Sequence, residues 1–219
     1  MARNKYPEVT VNRILDVSYR LFMEKGYEHT TIQDIVDALG DLSKGAIYHH
    51  FKSKDDIIEA VAERLYLKTN EDMAVMMQRT DLTGLEKLKQ LLWLSLKNPG
   101  QNKLLTAAPN LMKNPRFLAD QVYDSVNGTA VFILPAVEEG IRDGSITTEH
   151  PKQLVEVTLL LLNIWMNPLV FICSKEELRD KYDYLDDLFT YLGVPILEEG
   201  MLELVETYRR LLLASENKE

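Results

Sequence analysis

A single cysteine, Cys173, leaves no partner for a disulfide and no cysteine metal site within one chain. That favours a reducing compartment. Glycine and proline number only 10 and 8, which excludes collagen-like and low-complexity architectures. The N-terminus, MARNKYPEVTVNRIL, has no apolar stretch of the kind a signal peptide needs. No nucleophile elbow, phosphate-cradling glycine loop or paired-histidine metal motif occurs. The histidines His29, His49, His50 and His150 are not spaced as a catalytic set. No enzyme activity, cofactor or metal site is therefore expected, and a cytoplasmic location fits.

Long apolar runs are also few. The exception is VTLLLLNIWMNPLVFIC, residues 157–173, which is apolar almost all round. It falls short of the roughly 20 residues a membrane span needs, and Asn163, Asn167 and Pro168 interrupt it. A helix buried on every side, by its own core and by a second copy, explains it better.

Hydrophobic residues make up 46% of the 219-residue chain and charged residues 27%, the balance of an ordinary folded protein with a sizeable core. The net charge of −9 argues at first against nucleic acid, but its distribution points the other way. Residues 1–54 carry 8 basic and 7 acidic side chains, and the remainder carries 17 and 27. A near-neutral head on an acidic body leaves the head free to approach a polyanion.

Helical periodicity runs throughout, and nothing reads as a strand series. A first helix spans 9–25 with Ile14, Val17, Leu21 and Phe22 inward. Ile32, Ile35, Val36 and Leu39 then form an apolar stripe at helical spacing. Thr30 with Gln33 fits a capping box at the start of that second helix, and Gly40 supplies its stop. Ser43 caps a third helix that opens with Lys44, Gly45 and Ala46, of which Gly45 and Ala46 are small enough to allow close approach to a polyanion. Ser53 opens a fourth, with Asp55 and Asp56 in its first turn. No glycine or proline interrupts 46–83, so a continuous helix joins head to body. Further helices are expected at 83–97, 101–112, 115–142, 150–172, 175–192 and 195–214, with Pro135 kinking or breaking the 115–142 stretch. The tail SENKE is expected to fray.

From Arg13 through Ile58 the chain resembles the DNA-binding domain of the TetR family of transcriptional regulators. Ile14, Leu21, Phe22, Gly26, Tyr27, Thr30, Thr31, Ile32, Ile35 and Gly40 carry the likeness. Ser43, Lys44, Gly45, Ile47, Tyr48, His49, Phe51, Ser53 and Lys54 complete it. One departure stands out: Asp41 and Leu42 both lie between the glycine and the serine, where the family has one apolar residue. Either the turn is longer or the next helix starts a residue early.

The resemblance implies an all-α protein in two parts. Residues 1–54 would be a three-helix helix-turn-helix domain, and 55–219 a helical ligand-binding and dimerisation domain. The implied function is a repressor that binds a pseudo-palindromic double-stranded DNA operator as a homodimer and is released by a small-molecule effector. Dimerisation would use 150–172 and 195–214 in a four-helix bundle. At the DNA, Ser43 and Lys44 would meet a phosphate, Lys44 also reaching a guanine edge, and Ala46 a thymine methyl. By similarity Tyr48 bonds a phosphate, His49 reaches a phosphate or base edge, Thr30 and Thr31 face the flanking backbone, and Lys54 completes the grip. Gly45 lets the helix sit close.

For the effector, Met73, Met76, Met77, Trp93, Phe117, Tyr123, Phe132, Asn163, Trp165 and Met166 are the candidate lining; plain core is the competing reading for each. Buried Asn163 needs a partner: a ligand, a second chain or a backbone carbonyl. His49 and His50, as helical neighbours, point about 100° apart and cannot chelate one ion from one face. Two rival functions stay open: a helical small-molecule carrier or enzyme whose head no longer binds DNA, and a head that binds protein.

Overall fold

Ile14, Leu15, Leu21 and Phe22 lie along one side of α1 (Pro7–Lys25) and are all buried, so this helix exists to cover a core. Glu8 in its first turn and Lys25 in its last both suit the helix dipole. The computed structural model describes residues 7–100, 103, 104, 108, 110, 111, 114–168 and 170–216, and all regular structure among them is helical. The chain divides into two compact units, Met1–Leu67 with Pro99–Ala108 and Lys68–Asn98 with Pro109–Glu219.

In the first unit, α2 (Ile32–Leu39) starts one residue later than the capping-box reading places it. Thr31 is the cap: its hydroxyl accepts from the Asp34 N–H, and the Asp34 carboxylate accepts from the Thr31 N–H. Thr30 is unavailable because its hydroxyl donates inward to the Gly26 carbonyl at 2.8 Å. Gly40 ends α2 at φ +76°, a conformation that costs least without a Cβ. Next comes α3 (Lys44–His50), capped by Ser43, whose hydroxyl accepts from the Ala46 N–H at 3.2 Å. The additional residue therefore lengthens the turn; the helix does not start early. Asp41 has a use in that turn, taking the Arg13 guanidinium of α1 through two hydrogen bonds of 2.7 and 2.9 Å.

α4 (Lys54–Met77) is one unbroken helix and buries Ile57, Ile58 and Val61. Ser53 and Asp56 exchange hydrogen bonds at its start.

The second unit contains α5 (Gly84–Leu96), α6 (Pro115–Asp124), α7 (Ala130–Asp143), α8 (Pro151–Leu160), α9 (Lys175–Tyr191) and α10 (Met201–Glu216). Capping boxes start α5, from Thr83 and Glu86, and α9, from Ser174 and Glu177. A π-turn at Ser125–Thr129 joins α6 to α7, and another at Leu161–Trp165 extends α8. The core gathers Leu88, Val137, Leu154, Leu178, Leu185 and Phe189 from these helices.

Five expectations need correction or lie elsewhere. Pro135 does not break its helix; α7 runs through it, and the backbone departs from α geometry upstream, where the Ala130 N–H donates to the Ser125 carbonyl. The 150–172 helix ends at Trp165, ahead of Asn167 and Pro168. The 195–214 helix starts only at Met201, beyond Gly200. The helix at 101–112 falls mostly outside the described residues, as does the end of the C-terminal tail. Among the described residues no helix is long and apolar enough to cross a membrane.

The α5–α7 crossing is close-packed at Gly84. A Cβ at Gly84 would overlap the backbone of Gly140 and Ala136, and the Gly84 N–H donates to Asp143 at 2.8 Å. With no flexible side chain to yield, Gly84→Ala is expected to destabilise the protein by about 2–3 kcal/mol. Urea unfolding of the variant against the parent checks this.

Candidate nucleic-acid interface

The seven residues of α3 divide cleanly between inside and outside. Ile47 is completely buried, while Lys44, Gly45, Tyr48 and His49 are exposed and Ala46 is half-buried. Tyr48 keeps 46% of its surface, too much for a core tyrosine. Ser43 binds one amide at the start of α3; those of Lys44 and Gly45 have no acceptor within the helix. The outer face thus offers a cation, two amides, a small-residue gap, a phenol and an imidazole.

The charges of the head are mostly spoken for. Arg13 is paired with Asp41, Arg20 with Glu24, and Lys25 with Asp34. The Lys54 ammonium donates to the carbonyls of Tyr27 at 2.7 Å and Glu28 at 3.4 Å. Burial draws its pKa down, partly opposed by Glu28 and Asp55. That leaves Lys44 and Lys52, both exposed, as the lysines on the described part of this head without a carboxylate or carbonyl partner.

Of the two threonines expected at the flanking backbone, Thr31 is exposed at the start of α2. Thr30 has 0% exposure and cannot touch DNA with its side chain; it is an internal brace. The fully buried Thr30 was masked in the sequence by its neighbour of the same type. His49 and His50 sit edge to face, with ring centres 5.2 Å apart. Among the described residues no group of three His, Cys, Asp or Glu side chains is placed to hold a metal.

The effector candidates all belong to the second unit but do not share one environment. Phe117 and Met166 are buried; Tyr123 is 69% exposed and Phe132 is also on the surface. Met73, Met76 and Met77 are half-buried along α4. The Trp93 indole donates to Glu198 at 2.7 Å, and Lys97 lies 4.2 Å from its ring centre. Trp165 packs edge-on to Tyr184, with Lys181 4.9 Å from its ring. Asn163 donates to the Ser125 hydroxyl at 3.2 Å, a side-chain partner outside the sequence-based alternatives. A surface groove of about 410 Å³ is lined by residues 80–83 with Glu139, Arg142 and Asp143, and includes none of the ten.

The model of bacterial regulatory proteins of the tetR family matches residues 14–61, the segment that carries α2, α3 and their supports. The repressor AcnR of Corynebacterium glutamicum is 26% identical over 196 residues, covering 85% of this chain and 95% of that protein. Residues 14–61 thus carry a TetR-family DNA-binding segment. The repressor KstR2 of Rhodococcus jostii is 46% identical over 48 residues, 22% of this chain and 23% of that protein. The chain thus spans about a quarter of the length of this relative, and the match is confined to the head. In fold, the TetR/AcrR-family regulator of Thermobifida fusca superposes with a TM-score of 0.57 at 23% identity, covering 94% of this chain and 97% of that one.

Two measurements follow for this TetR-family head. Lys44→Ala is expected to weaken binding to duplex DNA and to reduce the slope of log affinity against log salt by about 0.9, one phosphate contact. Anisotropy titrations at several salt concentrations check it. The second concerns Asp34, whose carboxyl is held well below the ordinary range by Lys25 and by the Thr31 amide and hydroxyl. Its folded pKa lies below its unfolded one, so the unfolded chain takes up more protons on acidification and stability falls. Asp34→Asn should flatten the acid limb of melting temperature against pH.

Proposed function

We propose that this chain is a transcriptional repressor that binds a pseudo-palindromic DNA operator as a homodimer and leaves it when a small molecule occupies the second unit. The observation that carries the reading is α3: seven residues, one buried anchor, and an outer face of exposed Lys44, Tyr48 and His49 at the end of a capped turn. Ser43, Lys44 and Thr31 serve the phosphates, Tyr48 a further phosphate, and His49 and Ala46 the base edges, with Gly45 allowing close approach.

Support for a second copy comes from apolar side chains left on the surface of the second unit. Val157, Phe171 and Ile172, from the run that reads as buried all round, are exposed, as are Tyr184 and Leu211. Large apolar groups in such number favour a covering partner. Two heads would then occupy successive major grooves.

Release requires the effector to bind the non-DNA conformation better, since equal affinity shifts nothing. A coupling of about 1–3 kcal/mol changes operator affinity roughly 5–150-fold. The continuous α4 supplies the covalent connection between effector and head.

The test pairs light scattering with anisotropy titration on duplexes taken from beside the chain's own gene, with and without candidate ligands. A dimer that prefers one duplex over random competitor, and loses that preference with one ligand, is expected. A monomer with equal affinity for every duplex would contradict the reading.

A further inference from the structure

Lys54 sits where a TetR-like head would be expected to offer a phosphate contact, yet its ammonium is already engaged. It donates to the carbonyls of Tyr27 and Glu28, and lies 4.1 Å from the centre of the Tyr27 ring. The adjoining residue closes the other half of the joint: the Tyr27 hydroxyl donates to the Asp55 carboxylate. Tyr27 is itself buried and meets Phe22, which has no exposure, edge-on at 5.4 Å.

Two consecutive residues at the start of α4 therefore grip one corner, Gly26–Thr30, between α1 and α2. The same corner is tied from below by Thr30, whose hydroxyl donates to the Gly26 carbonyl. The Thr31 cap of α2 follows at once, then the turn with its Arg13–Asp41 pair, then α3. Moving the start of α4 against this corner would move the helix that faces DNA, because α3 lies between the two in the chain.

We propose that Lys54, with Tyr27 and Asp55, is a positioning clamp that sets the aim of α3, rather than a contact to DNA phosphate. This rests on the DNA-binding reading above and makes a different demand on the data. Removing a phosphate contact weakens specific and random duplex alike and lowers the salt slope. Loosening a clamp leaves the electrostatic contacts in place and costs only the contacts that need α3 correctly aimed.

The experiment measures affinity of the full chain for a duplex selected from a random pool and for a random-sequence duplex, across salt, for the parent, Lys54→Met and Tyr27→Phe. Circular dichroism at the assay temperature confirms that each variant is folded. For Lys54→Met the ratio of specific to random affinity should fall by about tenfold or more, the scale of one lost charged hydrogen bond. Its affinity for random duplex and its salt slope should match the parent. Tyr27→Phe keeps the Lys54 charge and should lower the same ratio without moving the slope, so the question survives if Lys54→Met fails to fold.

A slope reduced by about 0.9 with both affinities lowered would make Lys54 a phosphate contact and overturn the clamp. An unchanged ratio in the folded variants would overturn it too. Failure of the parent to bind any duplex would instead overturn the DNA-binding reading itself.

Discussion

A helix of seven residues cannot persist alone in water, because the cost of its first turn is spread over too few hydrogen bonds. α3 exists only because Ile47 is buried inside the first unit and because Ser43 and Phe51 close its two ends. Everything functional about the head follows from that constraint. One side chain is given up to the core, and the outward positions of a very short element are released for contact. The rest of the unit is scaffolding for that exchange. Ile14, Phe22, Ile35, Ile57 and Ile58 are completely buried and supply the interior on which α3 depends.

The electrostatics of the head are arranged with similar economy. Arg13, Arg20 and Lys25 are matched with carboxylates at the surface, where such pairs contribute little to stability and are weakened by salt. Their consequence is local: they remove cations that would hold any stretch of polyanion, leaving, among the described residues of the head, Lys44 at the tip of α3 and Lys52 just beyond it. A head charged this sparingly depends on shape and on the aim of α3 more than on attraction at a distance. That is why the corner held by Lys54 and Asp55 matters to function as well as to folding.

Local signals were the legible ones. Gly40 and Ser43 mark the turn because a left-handed residue and a capping hydroxyl are needed within a few positions of each other, and both act on their own neighbours. Thr30 and Thr31 show where such reasoning stops. Each has a polar residue three positions on, so spacing alone permits either to cap, and burial decides for Thr31. Arg13 with Asp41, and Tyr27 with Asp55, are each separated by 28 residues and leave no periodic trace. In the second unit, apolar content overran the true ends: 150–172 reads as one helix, yet it stops at Trp165. The start of α10 was masked in the same way, since Pro195 looks like an opening and Gly200 is the actual punctuation. No single position among the effector candidates could be read from composition, because core and cavity use the same methionines and aromatics.

If the outer face of α3 enters a major groove, dimethyl sulfate protection reads the event directly, since guanine N7 is presented in that groove. With the selected duplex bound, protection is expected at guanines in two patches about one helical turn apart, lost together when Tyr48 and Lys44 are both replaced by alanine. Unprotected guanine N7 positions on a duplex that is demonstrably bound would contradict the placement of α3.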